Sequence, residues 1–301
     1  MSMVTVKDLH VRYGNVHAVR GVSFEIPKGE VFGFIGPNGA GKSSTIRVLA
    51  TLQREFAGTV SVNGIDVARH PDVIREKIGY MPDFFGVYEA LTAAEYLHFF
   101  AAAYRLSRDE RLRTVNDVLE LTDLTHKADA PVDSLSRGMK QRLALARVLL
   151  HDPDVLLLDE PASGLDPRAR IEVRELLKAM QEMGKTILIS SHILHELAQL
   201  CTRIGIIEQG NSLRKGRSMT SFSNSRSNGP YTFNSAVLST ALLNRSVPSP
   251  ASNPSINRPT VSPSASASTK QPSKTSTPKS SASAAASACS NRKRWTWRQR
   301  S

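Results

Sequence analysis

Apolar and polar residues alternate near the N-terminus, in Val4-Thr5-Val6 and again in Val22-Ser23-Phe24-Glu25-Ile26, the period-two pattern of strands with one buried face. Pro27-Lys28-Gly29 then turns the chain into Val31-Phe32-Gly33-Phe34-Ile35, an apolar run that predicts a buried strand. Residues 58–64 alternate once more and close on Asn63-Gly64, a strong hairpin signal. Beyond Tyr88 the period changes. Thr92 opens an apolar-faced segment that runs to Phe100, and Leu112, Val115, Val118 and Leu119 recur at helical spacing, so residues from about 88 to 150 read as a helical insertion. Next come the short apolar run 155–158, a helix from Pro167 to about Met183, a buried strand at 186–189, a helix near 193–199 and a last strand at 204–207. Strands and helices in that order predict a parallel sheet in an α/β domain, joined to a β-rich first portion.

After about residue 213 this grammar stops. Residues 217–301 are rich in Ser, Ala, Pro and Thr, with twelve Lys or Arg and no acidic residue, the composition of a disordered segment. The expected division is therefore a domain at 1–216 and a basic tail at 217–301. The chain has 39 basic and 27 acidic residues, and 1–216 holds 27 of each, so the net charge of +12 belongs to the tail. A neutral body gives no electrostatic argument for nucleic acid, whereas the tail leaves one open. Its abrupt start looks like sequence unrelated to the domain, such as a shifted reading frame or a recombined end, and in either case its basic end at 292–298 is able to adsorb to anionic lipid or nucleic acid. Cys201 and Cys289 have no paired spacing, which suits a reduced compartment. The N-terminus lacks a signal-peptide pattern, and no apolar run approaches the roughly 20 residues of a membrane-spanning helix, so any service to a membrane is expected from the water side.

The chemistry begins at Gly36-Pro37-Asn38-Gly39-Ala40-Gly41-Lys42-Ser43, set between the apolar strand and the helical run that starts at Ser44. Glycines let backbone N–H groups turn inward around phosphate oxygens, the helix start adds partial positive charge, Lys42 adds a full one, and Ser43 offers a hydroxyl to Mg²⁺. This is a P-loop, or Walker A motif, with Gly36, Asn38, Gly39, Gly41, Lys42, Ser43 and Ser44 expected around the phosphates of a nucleoside triphosphate. The run 155–158 delivers two carboxylates at its end, Asp159 and Glu160. Asp159 is placed to hold Mg²⁺, directly or through water, and Glu160 to polarise the water that attacks the γ-phosphate.

Leu135-Ser136-Arg137-Gly138-Met139-Lys140-Gln141-Arg142 precedes a basic, apolar helix shortly before those carboxylates. With it the chain, over roughly residues 3–216, resembles the ATP-binding cassette (ABC) ATPases. The resemblance implies a P-loop core with a parallel sheet, an antiparallel β subdomain and a helical insertion. It also implies that Ser136 and Gly138 belong to the signature that caps the ATP held by a second subunit; Arg137 and Met139 stand where the family commonly has Gly and Gln. Ser163-Gly164-Leu165-Asp166 resembles the D-loop of the dimer interface and also reads as a turn capping the next helix. His192 resembles the switch histidine that reaches the γ-phosphate, and Tyr13 the aromatic that stacks on adenine, with simple packing as its other reading. Asp83 stands where the family usually has a Gln beside Mg²⁺ or the attacking water; its other reading is a solvated loop acid. The resemblance further implies an ATPase that closes as a homodimer or heterodimer around ATP and powers transport through a separate transmembrane permease. Export, from a cytoplasmic position on the inner face of the membrane, is the expectation, and a soluble ABC ATPase acting on nucleic acid or ribosomes is the alternative.

Overall fold

The computed structural model describes residues 2–84, 86, 88, 90–193 and 199–217, with side chains as far as 211. The tail expected to be disordered and the body of the helix expected near 193–199 lie outside the described residues. All described elements fall within one compact unit, 1–229.

An antiparallel sheet in the order β2-β1-β4-β5 is built from β1 (Ser2–Tyr13), β2 (Val16–Pro27), β4 (Ala57–Val62) and β5 (Ile65–Asp66). The alternating segments read in the sequence are the middles of longer strands, β1 and β2 each spanning 12 residues about a turn at Gly14. Between β4 and β5, Asn63 and Gly64 both take positive φ, 50° and 76°, as a tight two-residue hairpin requires.

The second sheet has six strands in the order β10-β9-β3-β8-β7-β6: β3 (Val31–Ile35), β6 (Ile78–Met81), β7 (Val155–Leu158), β8 (Thr186–Ser191), β9 (Arg203–Glu208) and β10 (Asn211–Arg217). Strands β9, β3, β8, β7 and β6 run parallel, and β10 returns antiparallel to β9. The strand expected to be last is therefore followed by another. The Gln209-Gly210 turn, φ 48° and 82°, sends the chain back along the sheet edge. Two further elements were not signalled by hydrophobic period: β6, and the short α2 (Pro71–Lys77) before it.

Two cores flank the parallel sheet, and its strands alternate between them. Val31 and Ile35 of β3, Leu156 and Leu158 of β7, and Ile187 and Ile189 of β8 face the core shared with the helical insertion. Phe32, Phe34, Val155, Leu157 and Leu188 face the core shared with the antiparallel sheet and α1 (Lys42–Leu49). This double burial explains why those strands read as unbroken apolar runs. On the second face, Phe24 of β2 stacks on Phe32 at 5.0 Å between ring centroids and meets Phe34 at 5.5 Å, joining the sheets.

The insertion holds α3 (Ala93–Ala103), α4 (Arg108–Leu121) and α5 (Arg137–Leu149). Thr92 and Ser107 start α3 and α4 with full capping boxes, closed by Glu95 and Glu110; each cap stabilises its helix by about 1 kcal/mol. Of the period expected in α4, Val115, Val118 and Leu119 are buried, while Leu112 is 49% exposed. The two ends of the insertion are stitched together where Val132 donates to Leu91 O at 2.9 Å and Ala93 donates to Ala130 O at 3.1 Å. Helix α5 is buried along most of its length, including Leu143, Ala144, Leu145, Ala146, Val148 and Leu149. It links the insertion to the sheet, and α6 (Pro167–Glu182) packs on the same core.

Candidate functional site

The P-loop runs from the end of β3 to α1, and its glycines are dictated by space. A Cβ at Gly36 would lie 2.2 Å from Ile207 O, and one at Gly41 would lie 2.6 Å from Ala18 O. Gly41 also takes φ 102° as the helix cap, and Gly39 takes 79°, conformations open to glycine at little cost. The loop is gripped from outside. Gly36 N–H donates to Ser191 O at 3.3 Å, and Gly210 N–H donates to Ala40 O at 3.1 Å while Gly210 O accepts from Arg20 N–H at 2.7 Å. The β9–β10 turn thus holds the loop and the β2 hairpin together.

Lys42 is 5% exposed. Its Nζ donates to Gly36 O at 2.7 Å and Pro37 O at 3.2 Å, and lies 3.4 Å from Glu160 Oε1. Across the sheet, β7 sets Asp159 at its end, 3% exposed, with its N–H bonded to Met81 O at 2.9 Å. Ser190, on β8 between the two motif strands, has a hydroxyl that donates to Asp159 Oδ1 at 2.6 Å and accepts from Glu160 N–H at 2.9 Å. Glu160 has φ 51°, a left-handed conformation that costs a non-glycine residue on the order of 1–3 kcal/mol; the Ser190 bond holds it. The Glu160 carboxylate bridges two neighbours: Oε1 faces the Lys42 ammonium, and Oε2 accepts from His192 Nδ1 at 2.9 Å. Lys42, Asp159, Glu160 and His192 therefore meet in one network, brought together from three strand ends. Ser190 was not singled out by the sequence; the Ser-Ser pair preceding His192 was its only trace.

Asp83 leaves β6 at the same level as Glu160 leaves β7, since Met81 pairs with Leu158 in the parallel ladder. Burial pushes the Asp83 carboxyl above its ordinary range, Asp159 and Glu160 push it further, and Arg137 and His192 act against them. The residue itself is exposed. Tyr13 ends β1, 41% exposed, and pairs with Val16 in the hairpin that continues into Ala18 against Gly41. Asn38, Ser43 and Ser44 lie in the loop and the first turn of α1.

The signature segment is turned toward the D-loop. Ser136 caps α5 by accepting from Met139 N–H at 3.3 Å. Arg137 Nη2 donates to Ser163 O at 3.1 Å, Gln141 Nε2 donates to Pro161 O, and Gly138 lies against Ala169, whose Cβ would be 3.0 Å from a Cβ added there. Asp166 caps α6 through Ala169 N–H at 2.9 Å, so its turn-capping reading holds.

Magnesium is bound by one or two carboxylates together with phosphate oxygens and water, not by an all-protein cage. The donor set fits: Asp159 with Asp83 near it and Ser43 at the helix start, while no group of three or more His, Cys, Asp or Glu converges as a metal cage among the described residues.

A parallel sheet that delivers a glycine loop with a buried lysine from one strand and paired carboxylates from a neighbour but one defines a P-loop nucleoside-triphosphate hydrolase. The comparisons with known proteins narrow the class. Residues 19–163 match the family model described as ABC transporter. The chain is 41% identical over 213 residues to a Nod factor export ATP-binding protein I of Burkholderia orbicola (strain AU 1054), covering 71% of this chain and 70% of that protein. It is 37% identical over 214 residues to the linearmycin resistance ATP-binding protein LnrL of Bacillus subtilis (strain 168), covering 71% and 69%. Among solved structures, an ATP-binding subunit of an ABC transporter superposes with a TM-score of 0.64 at 33% identity, over 72% of this chain and 90% of that one. A second, cbiO1 of Clostridium perfringens, gives 0.66 at 29% identity, over 74% and 91%. The chain belongs to the ABC transporter family, as an ATP-binding cassette ATPase.

Proposed function

We propose that this chain is the ATP-hydrolysing subunit of an exporter, with residues 1–216 as its catalytic domain. It works through a separate transmembrane permease, from the cytoplasmic face, and closes with a second ATPase subunit. The observation that carries the catalytic part is the network of Lys42, Asp159, Ser190, Glu160 and His192 at the ends of β3, β7 and β8. The names of the relatives, one for Nod factor export and one for linearmycin resistance, support export. No helix among the described residues is long and apolar enough to cross a membrane, which suits a permease on another polypeptide.

In this reading the loop amides from Gly36 to Ser43 and the Lys42 ammonium hold the β- and γ-phosphates, Tyr13 stacks on adenine, and Asn38 and Ser44 complete the phosphate shell. Ser43, Asp159 and Asp83 hold Mg²⁺, which when bound offsets phosphate charge. Glu160 orients and takes a proton from the attacking water, and His192, donating to Glu160, fixes the carboxylate and reaches the γ-phosphate. Ser136, Gly138 and Asp166 serve the neighbouring subunit's nucleotide.

Lys42→Ala is expected to lose ATP binding, while Glu160→Gln keeps it and turns over at least about a hundredfold more slowly. Equilibrium nucleotide binding and steady-state phosphate release check both, and near wild-type turnover in both variants would falsify the assignment. The mass of Glu160→Gln with saturating ATP tests the pairing; a monomer there rules it out. The basic composition of 217–301 favours the second reading, a soluble ATPase on nucleic acid or ribosomes. Co-purification separates the two: a multi-span membrane partner supports export, and salt-sensitive RNA or DNA capture that needs 217–301 supports the other.

A further inference from the structure

Arg137 is a position at which the signature departs from the family pattern, and its guanidinium reaches the segment that follows Glu160. We propose that Arg137 is a positioning residue for the 161–164 loop, and through it for Glu160. The proposal rests on Glu160 being the water-polarising carboxylate.

The geometry has three parts. Arg137 is the first residue of α5 after its Ser136 cap, and its Nη2 donates to Ser163 O at 3.1 Å, three residues beyond Glu160. Its guanidinium lies flat in the space a side chain at 164 would need: a Cβ on Gly164 would come within 2.3 to 2.6 Å of Nη2, Cζ and Nη1. Gly164, at φ 66°, supplies both the turn and the floor for that group. One turn along α5, buried Gln141 donates to Pro161 O, so the same helix face grips the loop at both ends. Because Ser163 N–H donates to Glu160 O at 3.0 Å, the gripped loop and the left-handed Glu160 backbone form one unit.

A glycine at 137, as the family commonly has, provides no fork over Gly164. Arg suits the place because its planar fork can donate to a carbonyl while lying over a glycine, which an ammonium does not do.

The test is steady-state ATP hydrolysis by the full chain carrying Arg137→Gly and Arg137→Gln, with each fold checked by thermal melting. Arg137→Gly is expected to lower kcat about tenfold with KM for ATP changed less than about twofold, the signature of a misplaced catalytic group and not of weaker binding. Arg137→Gln, which keeps a donor for Ser163 O without charge, should fall between Arg137→Gly and the parent. Parent-level kcat in Arg137→Gly overturns the positioning role. Glu160→Gln separates this idea from the reading beneath it: full turnover there removes the catalytic assignment itself, whatever the Arg137 variants do.

Discussion

Ser190 shows how much of the site hangs on one hydroxyl. It donates a hydrogen bond to the Asp159 carboxylate and accepts one from the Glu160 amide, so it ties the first acid to the backbone of the second while holding Glu160 in an unfavourable backbone region. Ser190→Ala leaves a half-buried amide without its acceptor, a loss of about 1–3 kcal/mol in unfolding free energy. It should also lower kcat about tenfold with ATP affinity retained, which denaturant titration and hydrolysis assays check side by side. This residue marks the limit of what the sequence discloses. The phosphate loop and the acid pair are contiguous motifs whose residue types state their chemistry. Ser190 acts from the adjacent strand, 31 positions from Asp159, and a buried serine has no local pattern. Arg137 was visible as a departure from the signature, but its reach to the 161–164 loop required the fold.

Among the elements, those legible in advance are the ones with a strong period or a strong punctuation mark: β3, β7 and β8 as apolar runs, α3 from its Thr92 cap, and the Asn63-Gly64 hairpin. Missed elements lack both. Strand β6 is four residues long and contains Gly79, which has no room for a Cβ because Val148 Cγ1 lies 2.4 Å from where it would be. Strand β10 lies at the sheet edge and reads Asn-Ser-Leu-Arg-Lys-Gly-Arg, a polar run of the kind that blunts edges. The joint between α5 and β6 has its own titratable pin. His151 Nε2–H donates to Ile78 O at 2.8 Å, and its ring stacks on Tyr104 at 4.1 Å. Burial holds this histidine below its ordinary range. Because the folded form resists the proton that the unfolded chain accepts, stability is lost as pH falls below about 6.5 toward the lowered folded value. Thermal melts between pH 7.5 and 5.5 should show that decline, and His151→Phe should be less stable at pH 7.5 but flatter across the range. An unchanged slope would remove His151 as its source.

At the scale of the whole molecule, the two sheets and the phosphate loop share a joint at Gly210, which bonds to Arg20 of the antiparallel sheet and to Ala40 of the loop. A chain shortened to end after residue 217 keeps that joint and should bind ATP with the parent's affinity. One ending after 202 loses β9, and with it Ile207 against Gly36, and should unfold at a lower temperature and bind ATP poorly. Calorimetry of the two lengths distinguishes these outcomes. The joint also offers a vantage point. Asn211 is exposed and adjoins Gly210, whose amide holds the loop, yet it belongs to none of the groups assigned to phosphate, metal or base. An environment-sensitive dye carried there would turn nucleotide arrival into an optical signal, so that loading and release could be timed while the catalytic groups stay untouched.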